Sequence, residues 1–174
     1  MRPLFPQGSI FFIQLTVSQI HTFARKIMQR VKIQLPEVFS FSTEIAVRIS
    51  DVNYGGHVGN DAILGMLHEA RLQFLKHHGY SEMDFGGYGM IMADVAIEFK
   101  NEAFYGEVIT ASVTAAGFHR VGFNIFYKLE KDTDGKKLTV AIAKTGMVCY
   151  DYGQKKIGTI PPGVAEKLTM QHKD

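Results

Sequence analysis

One long amphipathic segment constrains this chain more than any other feature. From Asn60 to about His78, Ile63, Leu64, Met66, Leu67, Ala70, Phe74 and Leu75 recur at helical spacing on one broad apolar face. Asn60 or Asp61 stands where an N-cap is expected, and Gly79 follows where a helix stops. Such a helix is about 30 Å long at 1.5 Å per residue. No other segment reads as a long helix. Ahead of it, residues 43–49 alternate, with Ile45, Val47 and Ile49 on one side, as a half-buried strand does. Behind it, strand patterns follow at Val95–Phe99, Glu107–Ala116, Val121–Leu129 and Leu138–Tyr150, with Asp132-Thr133-Asp134-Gly135 as a hairpin connection. Ala141, Ala143 and Gly146 point to close packing in the last strand. Strand, long helix and four short-linked strands make an α+β chain. One antiparallel sheet must curl to cover one helix of matching length.

A length of 174 residues suits one domain with a sizeable core. Apolar residues at 46% and charged residues at 21% are ordinary for a globular protein. A net charge of +2 gives no argument for a nucleic-acid partner. Cys149 is the single cysteine, which excludes an intramolecular disulfide and a four-thiolate zinc site, and suits a reducing, cytoplasmic setting. No apolar run reaches membrane-spanning length. Near the N-terminus, Gln14, Thr16, Ser18 and Gln19 interrupt the apolar patch begun by Ile10, so the segment reads as non-secretory. Residues 1–35 read as an extension with a helix over about Ser18–Arg30. Residues 36–162 form the domain, and residues 163–174 a frayed tail after Pro161-Pro162. Met28 is a candidate second start, which would make residues 1–27 dispensable.

Between the first strand and the helix runs Asp51-Val52-Asn53-Tyr54-Gly55-Gly56-His57-Val58-Gly59-Asn60, followed within the helix by Glu69-Ala70-Arg71. This stretch resembles the 4-hydroxybenzoyl-CoA thioesterase family in order and spacing. The resemblance continues through Val95–Phe99, Phe104–Glu107 and Val148–Asp151, and covers about residues 42–152. It implies the hotdog fold, a curled antiparallel β-sheet wrapped around one long central α-helix. It also implies hydrolysis of an acyl-CoA thioester in a homodimer or homotetramer, with the site between subunits. Three positions depart from the family pattern. Asn53 stands where a second Asp is frequent, Gly59-Asn60 replaces Asn-Asn, and His68 replaces an acid before Glu69.

Thioester hydrolysis needs a group that attacks or delivers water, and donors that polarise the carbonyl. A carboxylate can do the first. Backbone N–H groups at a helix N-terminus can do the second. Asp51 is the leading catalytic candidate. From the residue alone, a turn or cap Asp is the commoner reading; the family-like spacing reverses that. The resemblance points to the Val58 N–H, seven positions on, as the polarising donor. Glu69 is the competing carboxylate, and His57 is a candidate partner of Asp51 or of substrate. Gly56 and Gly59 let the backbone approach a ligand, and Asn60 is a further substrate-binding candidate. Lys100, His119 and Arg120, with Lys144 behind them, are candidates for the CoA phosphates, although each also suits an ordinary solvated edge. Ile63, Leu67, Met90, Met92 and Phe123 suit an acyl tunnel or plain core equally. No metal or cofactor is called for. His68 lacks the second His of a zinc helix, and His77 and His78 diverge on the helix surface.

Two other functions stay open on the sequence. A non-catalytic acyl-CoA-binding module would keep the pocket without turnover. A hydratase or dehydratase of the same fold would pair an Asp or Glu with a His in motifs that this chain lacks.

Overall fold

The structure, a computed structural model, describes residues 30–170. The extension, with the helix expected over residues 18–30, lies outside the described residues up to Arg30. The elements run β1 (Phe41–Ala46), a 3-10 turn (Ile49–Asp51), α1 (Asn60–His77), β2 (Gly89–Phe99), β3 (Val108–Ala116), β4 (Gly122–Thr133), β5 (Lys136–Asp151), β6 (Lys156–Ile157) and α2 (Val164–Thr169).

The strands form one antiparallel sheet in the order β1-β3-β4-β5-β2, with β6 paired to the end of β5. Alternate residues of the central strands share one face. Ile109, Ala111 and Val113 of β3, Ile125, Tyr127 and Leu129 of β4, and Ala141 and Ala143 of β5 are all buried there. They form one core with Ile63, Met66, Leu67, Ala70, Phe74 and Leu75 of α1. The helix spacing and the strand alternation thus meet on opposite sides of one apolar layer. The Asp94 carboxylate lies over Gly146 and would have to swing aside for any side chain there. The Asp134-Gly135 turn joins β4 to β5 with both residues at positive φ, 54° and 76°, as a tight hairpin requires.

Three boundaries differ from expectation. The first strand ends at Ala46, and Ile49 is 71% exposed instead of continuing the alternation. Asp51 ends that strand pattern by accepting the Arg48 N–H on its Oδ2 at 2.7 Å, which folds the chain into a 3-10 turn. The N-cap of α1 is Gly59, with neither Asn60 nor Asp61 capping from outside the helix. Regular structure also continues past Pro161-Pro162. The short α2 buries Val164 and Leu168, four residues apart, and Ser40 Oγ donates to the Leu168 carbonyl at 3.1 Å.

α1 packs against β1 and β3. β2 lies at the far edge of the sheet, and part of it is exposed among the described residues. Met92, Val95 and Phe99 are 40%, 39% and 51% exposed.

Candidate active site

The segment from Asp51 to Asn60 is a tight excursion closed on itself. The Asn53 N–H donates to the His57 carbonyl at 2.9 Å, and the Gly59 N–H to the Asp51 carbonyl at 2.9 Å. Between them Asn53 builds the turn. Its Oδ1 accepts the Gly55 N–H at 2.8 Å, and its carbonyl accepts the Gly56 N–H at 3.0 Å. Gly56 takes φ +81°, a conformation that other residues rarely adopt. The ladder returns the chain beside Asp51, so the start of α1 stands next to that residue.

Asp51 and Glu69 line one cleft of about 250 Å³, together with Ile45, Ala46, Arg48, Ala62, Gly65 and Met66. Asp51 is half-buried, and its Oδ1 has no partner among the described residues. Glu69 is exposed. Its Oε1 accepts from Gln73 Nε2 at 2.7 Å, and Gln73 Oε1 in turn accepts from the Thr43 hydroxyl. Neither carboxylate forms an ion pair among the described residues.

A second cleft, of about 200 Å³, opens on another face of α1. His57, Val58, Asn60 and Ile63 line one side, and Phe99, Lys100, Asn101, Glu102, Ala103 and Val140 the other. Here the structure departs from two expectations. His57 does not reach Asp51. Its Nδ1 lies 3.2 Å from the Val58 carbonyl oxygen, and its Nε2 lies 3.9 Å from Glu102. The Val58 N–H is already committed, donating to the Ala103 carbonyl at 2.8 Å. The first intrahelical bond of α1 is from the Ile63 N–H to Gly59. The N–H groups of Asn60, Asp61 and Ala62 therefore have no partner among the described residues.

The basic candidates separate. Lys100 reaches the second cleft, with its ammonium 2.7 Å from Glu98. Glu98 also accepts the Ile33 N–H, which ties the chain ahead of β1 to β2. His119 and Arg120 lie in the β3–β4 turn. β3 starts at Val108, paired with Ala46 beside the Asp51 loop, and nine residues carry it about 27 Å away. Within one chain those two residues stand at the opposite end of the sheet. Lys144 pairs with Asp94 at 3.3 Å. Of the tunnel candidates, Ile63, Leu67, Met90 and Phe123 are core, and Met92 is half-exposed.

A different kind of polar cluster sits along the same helix. Arg71, 5% exposed, donates from Nε to Glu82 Oε1 at 2.6 Å, and His68 Nε2 lies 3.1 Å from Glu82 Oε2. Burial raises the proton affinity of Glu82, but the Arg71 and His68 contacts outweigh it and hold the carboxyl below its ordinary range. Tyr127, buried below, donates to or accepts from Thr145 at 3.0 Å. Among the described residues no cluster of three or more His, Cys, Asp or Glu is placed to hold a metal, and no helix is long and apolar enough to cross a membrane.

Residues 47–168 match the model of the thioesterase-like superfamily. The chain belongs to that superfamily. Solved structures of similar fold include a 1,4-dihydroxy-2-naphthoyl-CoA thioesterase from Synechocystis, at 21% identity and a TM-score of 0.65, covering 74% of this chain and 94% of that one. A 4-hydroxybenzoyl-CoA thioesterase mutant in complex with 4-hydroxybenzoyl-CoA aligns at 18% identity and TM-score 0.68, over 76% of this chain and all of the other. A probable thioesterase from Escherichia coli aligns at 20% identity and TM-score 0.59, over 76% and 98%. No curated protein matches in sequence. The likeness shows the hotdog fold, here as a curled, unclosed sheet over α1.

Several members of the cleft were not legible beforehand. Arg48 and Ala62 carry no pattern that marks them, and Met66 reads only as part of the apolar helix face. Gln73 offered a signal in its position four residues after Glu69, where helical side chains meet.

Proposed function

We propose that the chain hydrolyses acyl-CoA thioesters, with Asp51 as the acting carboxylate at a site completed between two subunits. One observation carries the reading: Asp51 shares its cleft with Ala62, in the first turn of a helix whose leading N–H groups are unpartnered. Asp51 takes a proton from water as the water oxygen attacks the thioester carbonyl. Charge gathering on the carbonyl oxygen meets the positive end of α1. The C–S bond then breaks, the thiolate recovers the proton, and a free carboxylic acid and CoA leave. The polarising role expected of Val58 passes in this reading to the Asn60–Ala62 turn, since the Val58 amide is held by Ala103. Lys100 attracts the CoA phosphates, and His57 and Asn60 shape the neighbouring cleft. The similar structures described above, several of them thioesterases, support the reaction class without naming the acyl group. A cytoplasmic setting belongs to the same reading, since Cys149 is a free, buried thiol.

The edge position of β2 supports a homodimer at minimum. An eleven-residue strand at the end of the sheet order, with Met92, Val95 and Phe99 exposed among the described residues, is a surface that a second copy can cover. Light scattering at micromolar concentration is expected to give at least twice the chain mass; a monomer would contradict the assembly.

The activity is tested by thiol release from a panel of acyl-CoAs, with enoyl-CoA hydration followed in parallel. Release of CoA without hydration is expected. Binding without release would instead make this a binding module, and hydration would make it a hydratase.

A further inference from the structure

Gly65 lies in the middle of α1, where glycine is the poorest helix former apart from proline. A helical glycine is usually explained by a neighbour that a side chain would strike. Here a Cβ built at Gly65 meets nothing within 4 Å. Packing among the described residues therefore does not require the glycine. Gly65 lines the cleft that also holds Asp51 and Glu69, one turn before Glu69 on the same face. The lining beside it is mixed: Ile45, Ala46, Ala62 and Met66 are apolar, and Arg48 joins the two carboxylates as polar lining.

We propose that Gly65 sets acyl specificity, keeping the cleft open so that the apolar acyl group of the thioester lies against the α1 backbone next to Asp51. This rests on the thioesterase reading above and adds to it the path of the acyl group. Asp51, Glu69 and Arg48 supply the polar lining that meets the thioester carbonyl, and Ile45, Ala46, Ala62 and Met66 supply the apolar lining that meets the acyl group. Any side chain at this position occupies volume that the substrate uses, so helix stability and substrate affinity are set against each other there.

The test compares the full chain with Gly65→Ala and Gly65→Leu. Thermal melting is measured together with calorimetric affinity for non-hydrolysable acyl-CoA thioethers of increasing acyl size and for CoA alone. Gly65→Ala is expected to melt about 2–4 °C higher, as removal of a helical glycine does. Gly65→Leu is expected to weaken binding of the larger acyl thioethers by roughly tenfold, because the new side chain takes volume that the acyl group would fill. The loss should be least for acetyl, and affinity for CoA alone should not change. Unchanged acyl affinity in both variants would overturn the inference. So would a halving of the particle mass in Gly65→Leu, because the glycine would then serve contact between subunits. Binding does not depend on turnover, so this result stays separate from the assay for hydrolysis: a wild type that binds by acyl size but never releases thiol sinks the enzyme reading alone.

Discussion

α1 carries two carboxylate regions that differ in almost every respect. Glu69, with Asp51 across the cleft, is open to solvent and has no cation paired to it among the described residues. Arg71, two residues on, points about 200° away around the helix and is buried against Glu82. One region spends its charge on holding the loop after α1 against the helix. The other keeps its charge beside the unpartnered N–H groups at the helix start. A carboxylate locked to a guanidinium has little left to give a substrate, whereas one held only by an amide or a backbone N–H can still take a proton. The comparison teaches that the Glu-Ala-Arg run combines a candidate catalytic acid and a structural cation on opposite flanks of one helix.

The comparison breaks most visibly if Arg71 is not structural. Arg71→Met leaves Glu82 half-buried with only the exposed His68 for company. A loss of about 2 kcal/mol in denaturant unfolding is expected, below the full cost of breaking a buried pair because Glu82 keeps some access to water. The kcat of the folded fraction should stay close to wild type. A stable variant with lost turnover would move Arg71 to the active side of the comparison.

A smaller effect separates the regions by pH. Glu82 and Glu107 are both held below the ordinary carboxylate range. For Glu107 burial opposes the Lys131 and Phe104 N–H bonds, which outweigh it. A folded-state value below the unfolded one means that each group adds stability above the ordinary carboxylate range. That stability is lost as pH falls through the depressed value. Urea midpoints should therefore be flat above about pH 5 and fall below it, and the fall should be shallower in Arg71→Met. An equally steep fall in that variant would remove Glu82 from the account.

The smallest effect concerns the second cleft. Lys100 is already paired with Glu98 and exposed, so Lys100→Ala is expected to raise KM for acyl-CoA only about threefold, with kcat unchanged. A large fall in kcat would mean that the chemistry sits on the His57 side of α1.

The sequence made some of this plain and hid the rest for physical reasons. α1 was legible because seven apolar residues hold one helical period, and the β4–β5 hairpin because Asp134-Gly135 suits positive φ. The end of β1 was not, since Val47 and Ile49 continue the alternation until the Asp51 side chain turns the chain. α2 was hidden behind two prolines and shows only the four-residue spacing of Val164 and Leu168. Asp51 and Glu69 were both legible as candidates, but their shared cleft was not. The commitment of the Val58 N–H depends on Ala103, 45 positions away in sequence, and no local pattern announces such a pairing.

The central claim is that Asp51, not Glu69, performs the chemistry. Asp51→Asn keeps the side chain's size and removes its charge; Glu69→Gln does the same for its neighbour in the cleft. With kcat and KM measured side by side on the best acyl-CoA substrate, Asp51→Asn is expected to lower kcat by about two orders of magnitude or more with little change in KM. Glu69→Gln should stay within about tenfold of wild type. The reverse result, turnover abolished in Glu69→Gln and nearly intact in Asp51→Asn, would contradict the account and make the helix carboxylate the catalyst.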